Sequence, residues 1–154
     1  MVIGGIAVNL HGVERPTGDL DLLVSFEKSN LEKFISAMKA IGWVPRLPVT
    51  FEEFSDPKKR AQWKKEKGMK VFSIYNPKRP LEPIDVMTED YIDFDKAYRN
   101  RVVETTTPGS ISPISIPDLI RLRKIAGRER DKIDIMGLRQ AEGYKGEKKK
   151  KTRI

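Results

Sequence analysis

Apolar positions recur at helical spacing in two stretches of the chain. In "KSNLEKFISAMKAIGW", Leu31, Phe34, Ile35, Met38 and Ile41 mark one buried face. This spacing predicts a helix capped by Ser29 or Asn30 and ended by Gly42. In "PDLIRLRKIAG", Pro117 opens a second helix whose apolar face is Leu119, Ile120, Leu122 and Ile125. "RERDKIDIMGLRQAEG" continues as a further helix. "GIAVNLHG" is an apolar stretch of helix length between Gly5 and Gly12, and "TFEEFSDPKKRAQWKKEKG" is predicted helical and largely exposed. Other segments follow the two-residue period of strands. "MVIGG" is the end of a strand running into a Gly turn, and "DLDLLVSF" alternates before turning continuously apolar, as a buried strand does. "MKVFSIYN" and "EPIDVM" are two strands joined by the turn "PKRP".

"VERPTG" is a loop by its Pro and Gly, and "YIDFDKAYRN" is a short helix or loop. "RVVETTTPGSISPISI" is a strand, a Pro-Gly turn and a second short strand. No internal repeat is visible. Strands and helices interleave, so the fold class is mixed α/β (α+β): a small mixed sheet flanked by helices, with a C-terminal helical pair over 117–142. The expected organisation is one domain over 1–142 and a basic, disordered tail over 143–154.

Composition narrows the classes. With 154 residues the chain can bury a core, and 38% apolar with 34% charged residues suits a water-exposed domain. There is no apolar run long enough to span a membrane and no signal-peptide pattern. Zero cysteines exclude disulfides, zinc thiolates and a thiol nucleophile. A cytoplasmic setting is the expectation. Much of the net charge of +8 sits in "YKGEKKKKTRI", with six basic residues and one acidic, so the body is only mildly basic. Such a run is a solvated tail or adds nonspecific affinity for polyanions.

The chemistry concentrates in "IGGIAVNLHGVERPTGDLDLLV". Asp19 and Asp21 are two apart on a predicted strand, so both emerge on one face with Cα atoms about 6.5–7 Å apart. Two carboxylates so placed can hold one divalent cation or a pair, and magnesium completes such a shell with water and substrate phosphates. D-x-D also arises by chance, with one Asp capping the loop and the other facing water. Gly4-Gly5 follows a strand and precedes a helix, where backbone N–H groups can approach a phosphate. Asp85, in "EPIDVM", joins the aspartates if its strand pairs beside theirs.

Strand, G-G, helix, D-x-D and a later strand carrying an acid resemble the nucleotidyltransferase fold of the DNA polymerase β superfamily. "GGIAVNLHG…RPTGDLDLLV" resembles its small members, including the AbiEii-type abortive-infection toxins, and "LIRLRKIAGRERDKIDIMGL" adds Lys124, Arg128, Asp131 and Asp134 at matching positions. The resemblance covers residues 1 to about 142. Family members usually carry a helix ahead of the first strand, whereas this chain opens inside it, which makes an exposed or self-pairing sheet edge, or a truncated enzyme, an expectation. The resemblance implies transfer of a nucleoside monophosphate from an NTP to an acceptor hydroxyl. Mg²⁺ or Mn²⁺ would be held by Asp19, Asp21 and Asp85. The Gly4-Gly5 turn would cradle the triphosphate, with Arg15, Thr17, Lys124 and Arg128 contacting phosphate. The implied acceptor is a tRNA end or a protein hydroxyl, and the implied partner is an antitoxin protein.

Structural roles compete with several of these. Lys124 and Arg128 also fit a solvated basic stripe, and Arg128, Asp131 and Asp134 also fit an ion-pair network pinning the last helices. His11 is expected to be packed or hydrogen-bonded, and Trp43 to be core. Trp63, among lysines, is available to stack on a base. Ser73 and Tyr75 alternate on one strand. An antibiotic-modifying nucleotidyltransferase is a second reading, disfavoured because such enzymes usually carry an additional substrate domain. A catalytically silent nucleotide- or RNA-binding module is a third.

Overall fold

A computed structural model describes the backbone of residues 1–151 and the side chains of 1–143. The elements in chain order are β1 (Val2–Ile3), α1 (Gly4–Leu10), β2 (Leu20–Leu22), α2 (Lys28–Ala40), β3 (Val44–Pro45), α3 (Phe51–Ser55), α4 (Pro57–Lys67), β4 (Val71–Asn76), β5 (Arg79–Met87), α5 (Phe94–Arg99), β6 (Glu104–Thr105), β7 (Ser110–Ile111), α6 (Ile116–Ala126) and α7 (Glu129–Lys151). The class is the mixed α/β expected from the sequence. The chain resolves into two compact units, residues 18–95 and residues 1–17 with 96–154. The side chains of the tail expected from 143 onward lie, beyond Gly143, outside the described residues.

In the unit of residues 18–95, strands β2, β5, β4 and β3 lie side by side in that order. The β2–β5 pair is parallel and the other two pairs are antiparallel. Period-2 alternation gives this sheet two chemically different faces. Phe72, Ile74, Ile84 and Val86 point into a core completed by Leu31 of α2, Phe51 and Phe54 of α3, and Trp63 of α4. The residues between them, Ser73, Tyr75 and Asp85, take the other face. The core is aromatic. Phe54 stacks on Phe72 with centroids 4.5 Å apart, and Trp63 lies parallel to Phe72 at 6.2 Å.

The segment 51–67 is helical and largely exposed, as expected, and divides into two helices. Thr50 and Glu53 close a capping box on α3, with Glu53 N–H donating to Thr50 Oγ1 at 3.0 Å and Thr50 N–H to Glu53 Oε2 at 2.8 Å. Asp56 then ends α3 and caps α4, accepting from Lys58 N–H at 2.8 Å ahead of Pro57. Trp63 is buried, not free to stack on a base: the lysines around it cover the helix flanks and leave it on the single inward stripe. The cap of α2 also moves. Its N-cap is Glu27, with no side-chain cap bond, because Asn30 instead donates to the Ser25 carbonyl at 2.9 Å.

In the other unit, β1 is tied to residues 112–114. Val2 N–H donates to the Ser112 carbonyl at 2.8 Å and Ile114 N–H to the Val2 carbonyl at 2.9 Å. Buried Ala7, Val8, Ile114, Leu119 and Leu138 supply its apolar interior. His11 is buried and donates from Nε2 to the Ile114 carbonyl at 2.7 Å, the packed role expected of it. Ser115 caps α6 by accepting from Asp118 N–H, with Pro117 in the first turn as the sequence predicts.

Candidate active site

The carboxylates come from the unit of residues 18–95. Asp21 and Asp85 are directly opposite one another on the parallel pair β2–β5. Residues in register on neighbouring strands share a face, so the two project side by side from strands about 4.8 Å apart. Parallel pairing is unfavourable for two like charges unless something offsets it. One offset is local: Ser73, opposite Asp85 on β4, donates its hydroxyl to Asp85 Oδ1 at 2.5 Å. Asp19 lies one residue ahead of β2, in the exposed loop.

The fit to a metal can be judged from this donor set. Among the described residues, no group of three His, Cys, Asp or Glu side chains is placed to enclose a metal ion by itself. The Asp21–Asp85 pair fits a different demand. Magnesium is usually bound through one or two carboxylates, the remaining positions going to water and substrate phosphates. Hard oxygen donors in pairs meet that need; the expected third carboxylate, Asp19, does not join them in such a group, because it lies ahead of β2 in the exposed loop.

The other predicted residues belong to the unit of residues 1–17 and 96–154. Gly4 has φ +66°, a conformation that favours glycine, at the first position of α1. Gly5 has a steric requirement of its own. A Cβ there would stand 2.4 Å from Thr17 Oγ1 and 3.3 Å from Arg15 Cζ, so the loop after α1 packs directly on it. Asn9 holds that loop through both its amide atoms, one bonded to Arg15 N–H and the other to the Arg15 carbonyl. Arg15 pairs with Asp134 at 2.7 Å. Gly5, Arg15 and Thr17 are thus brought together, within one unit.

Arg128, Asp131 and Asp134 form an ion-pair network, and its centre is a residue the sequence reading missed. Arg123 is buried on α6; it donates from Nη1 to Asp131 at 2.8 Å, and its Nε lies 3.3 Å from Asp134. Arg128 reaches Asp131 through its backbone N–H at 3.0 Å and its Nε at 2.9 Å. Burial pushes the Asp131 carboxyl up, but these bonds from Arg128 and Arg123 outweigh it and hold the group below its ordinary value. Arg123 was findable: it stands four residues after Leu119 and seven after Ile116, on the inward stripe of α6. Lys124, one residue on, is exposed.

A separate concavity of about 380 Å³ lies beyond the carboxyl ends of β2 and β5, against α4. Arg60 lines it, stacked on the Phe26 ring at 4.1 Å and donating to the Phe54 carbonyl at 2.5 Å. Asp90, also on its wall, is raised by burial and by Asp93 and Asp95, with Arg60 opposing.

No family model matches the chain. No curated protein matches it either. Among solved structures it is similar to the lincosamide antibiotic adenylyltransferase LnuA, in its lincomycin-bound crystal structure, with a TM-score of 0.52 and 16% identity over 91% of this chain and 85% of that one. No helix among the described residues is long and apolar enough to cross a membrane. The fold is that of a nucleotidyltransferase.

Proposed function

We propose that the protein is a metal-dependent nucleotidyltransferase. The observation that carries this reading is the in-register pair of Asp21 and Asp85 on a sheet of nucleotidyltransferase type. In the reaction, the acceptor hydroxyl oxygen forms a bond to the α-phosphorus of an NTP. The bond from that phosphorus to the α–β bridging oxygen breaks, pyrophosphate leaves with the electron pair, and the hydroxyl proton passes to water. Bound Mg²⁺ or Mn²⁺ would neutralise phosphate charge and lower the pKa of the attacking hydroxyl. Asp21 and Asp85 are the residues that would hold it. Ser73 keeps the Asp85 carboxylate turned to one orientation. Thr17 and the Gly4-Gly5 turn are assigned to phosphate contact, with Lys124 as a further cation. Arg128 is committed to Asp131 and Arg15 to Asp134, so neither is assigned to phosphate here.

The acceptor in this reading is an RNA end or a protein hydroxyl, in the manner of an AbiEii-type toxin with an antitoxin partner, and the setting is cytoplasmic. A second reading, a small hydroxylated acceptor, is favoured by the likeness to an adenylyltransferase with a bound lincosamide. Incubation of the purified protein with each labelled NTP, Mg²⁺ and total tRNA, total protein or lincomycin is expected to label one acceptor. Asp21→Asn is expected to abolish labelling while leaving the circular-dichroism spectrum unchanged. Full activity in that variant refutes the assignment. Mg-NTP binding without transfer leaves the silent nucleotide-binding module instead.

A further inference from the structure

The row of the sheet that carries the two acids continues past them. Asp21 on β2 is opposite Asp85 on β5, and Asp85 is opposite Ser73 on β4. Val44 is opposite Tyr75 and Pro45 opposite Ile74, so the next position, Arg46, falls opposite Ser73, and its N–H donates to the Ser73 carbonyl at 2.9 Å. Asp21, Asp85, Ser73 and Arg46 therefore stand in line on one face, with Val44 and Tyr75 in the row beside them. Two strand spacings place the Arg46 backbone about 10 Å from that of Asp85, while its guanidinium is held further off, at the Pro80 carbonyl five residues along β5.

This end of the row has its own chemistry. The Arg46 guanidinium lies 5.7 Å from the centroid of the Tyr75 ring. It donates to the Pro80 carbonyl at 3.0 Å, which uses one of its five N–H donors. The β4–β5 ladder is irregular between Ile74 and Asn76, the segment that holds Tyr75. Irregularities of this kind re-aim a side chain and recur beside active sites. Arg46 is exposed and Tyr75 half-buried, and Lys78 stands exposed in the adjoining turn.

We propose that Arg46 and Tyr75 form the acceptor subsite, and that it takes the terminus of a single-stranded RNA. This rests on the transfer reading above. If Asp85 stands beside the attacking hydroxyl, the acceptor extends along the row away from Asp21, onto Ser73, Tyr75 and Arg46. An aromatic ring beside a guanidinium suits a nucleotide, whose base stacks while its phosphate takes the charge-assisted bonds. A peptide hydroxyl or a small polyol offers Arg46 no phosphate.

The test is binding, read without NTP, by fluorescence anisotropy of a labelled single-stranded 12-nucleotide RNA with a free 3′ hydroxyl on the full chain. The C-terminal basic run is then the same in every variant. Tyr75→Leu is expected to weaken binding about tenfold or more, and Tyr75→Phe, which keeps the ring, to bind as the unaltered protein does. Arg46→Gln is expected to weaken binding and to reduce the slope of log K against log salt by about 0.7. Unchanged affinity in both Tyr75→Leu and Arg46→Gln overturns the proposal. Full-rate transfer to a protein or small hydroxyl by these two variants also overturns it, while leaving the transferase reading intact. RNA bound through Arg46 and Tyr75 with no NTP consumed supports the subsite and refutes the transferase reading.

Discussion

Replacing Asp131 by alanine tests whether the charged cluster of the last two helices is structural. The carboxylate is 1% exposed and accepts from Arg123 at 2.8 Å and from Arg128 at 2.9 and 3.0 Å. Its loss leaves the Arg123 guanidinium buried with Asp134, 3.3 Å from Nε, as its remaining carboxylate. Breaking a buried pair from one side costs about 3–5 kcal/mol. The lower end applies, because Arg128 is half-exposed and can turn to water and Asp134 still offsets part of the Arg123 charge. Loss of an acid from the first turn of α7 and the gain in helix propensity from alanine nearly cancel. The expected loss is therefore about 3 kcal/mol, or about 6–12 °C in Tm, read by urea and thermal unfolding at pH 7. The pH dependence carries the sign. A carboxyl held below its ordinary value of 3.8 contributes stability that is complete above that value and is lost as pH falls through the folded value. The gap between the two proteins should thus be full at pH 7 and shrink below about pH 4. A loss under about 1 kcal/mol, or an equal gap at pH 7 and pH 3, refutes the reasoning.

Trp63→Ala should cost about 3–5 kcal/mol in urea unfolding, because it empties the space against Phe72; a change within 0.5 kcal/mol would mean Trp63 is a surface residue after all. Gly5→Ala should destabilise by about 1 kcal/mol, overpacking against Thr17 being partly offset by the helix preference of alanine. Adding Thr17→Gly should restore the loss, and a double variant no more stable than Gly5→Ala would remove that contact as the cause. Ser73→Ala should lower transfer about tenfold with little change in stability, and Ser73→Thr should recover most of it. Equal rates for Ala and Thr at this position would mean the hydroxyl does not orient Asp85.

What was legible in the sequence was the local periodicity. Alternation marked β2, β4 and β5, the 3–4 spacing marked α2 and α6, and the G-G and D-x-D elements were found with their loop. The pairing of Asp21 with Asp85 was conditional, because a parallel pair joined through more than 60 residues leaves no hairpin turn from which register can be counted. The lysine-rich run 58–67 concealed Arg60 and Trp63, since composition averages over the helix circumference while burial depends on one stripe. The Asp56-Pro57 signal that divides this segment was present in the sequence but not used. Arg123 was overlooked although it stands among the apolar positions of α6 and its partners Asp131 and Asp134 had been singled out.

The register of β2 on β5 links the core to the chemistry. Leu20 and Leu22 are opposite Ile84 and Val86, and Asp21 and Asp85 occupy the position between them. A slip of one residue would bring a carboxylate under Phe72 and send Ile84 or Val86 to the other face. The aromatic core therefore proofreads the alignment of the two acids each time the chain folds. Substitutions that loosen Phe54, Trp63 or Phe72 would then blur where the acids stand before they unfold the protein, so an allele damaged in the oil-like half of the sheet would be inherited as a fault in its charged half.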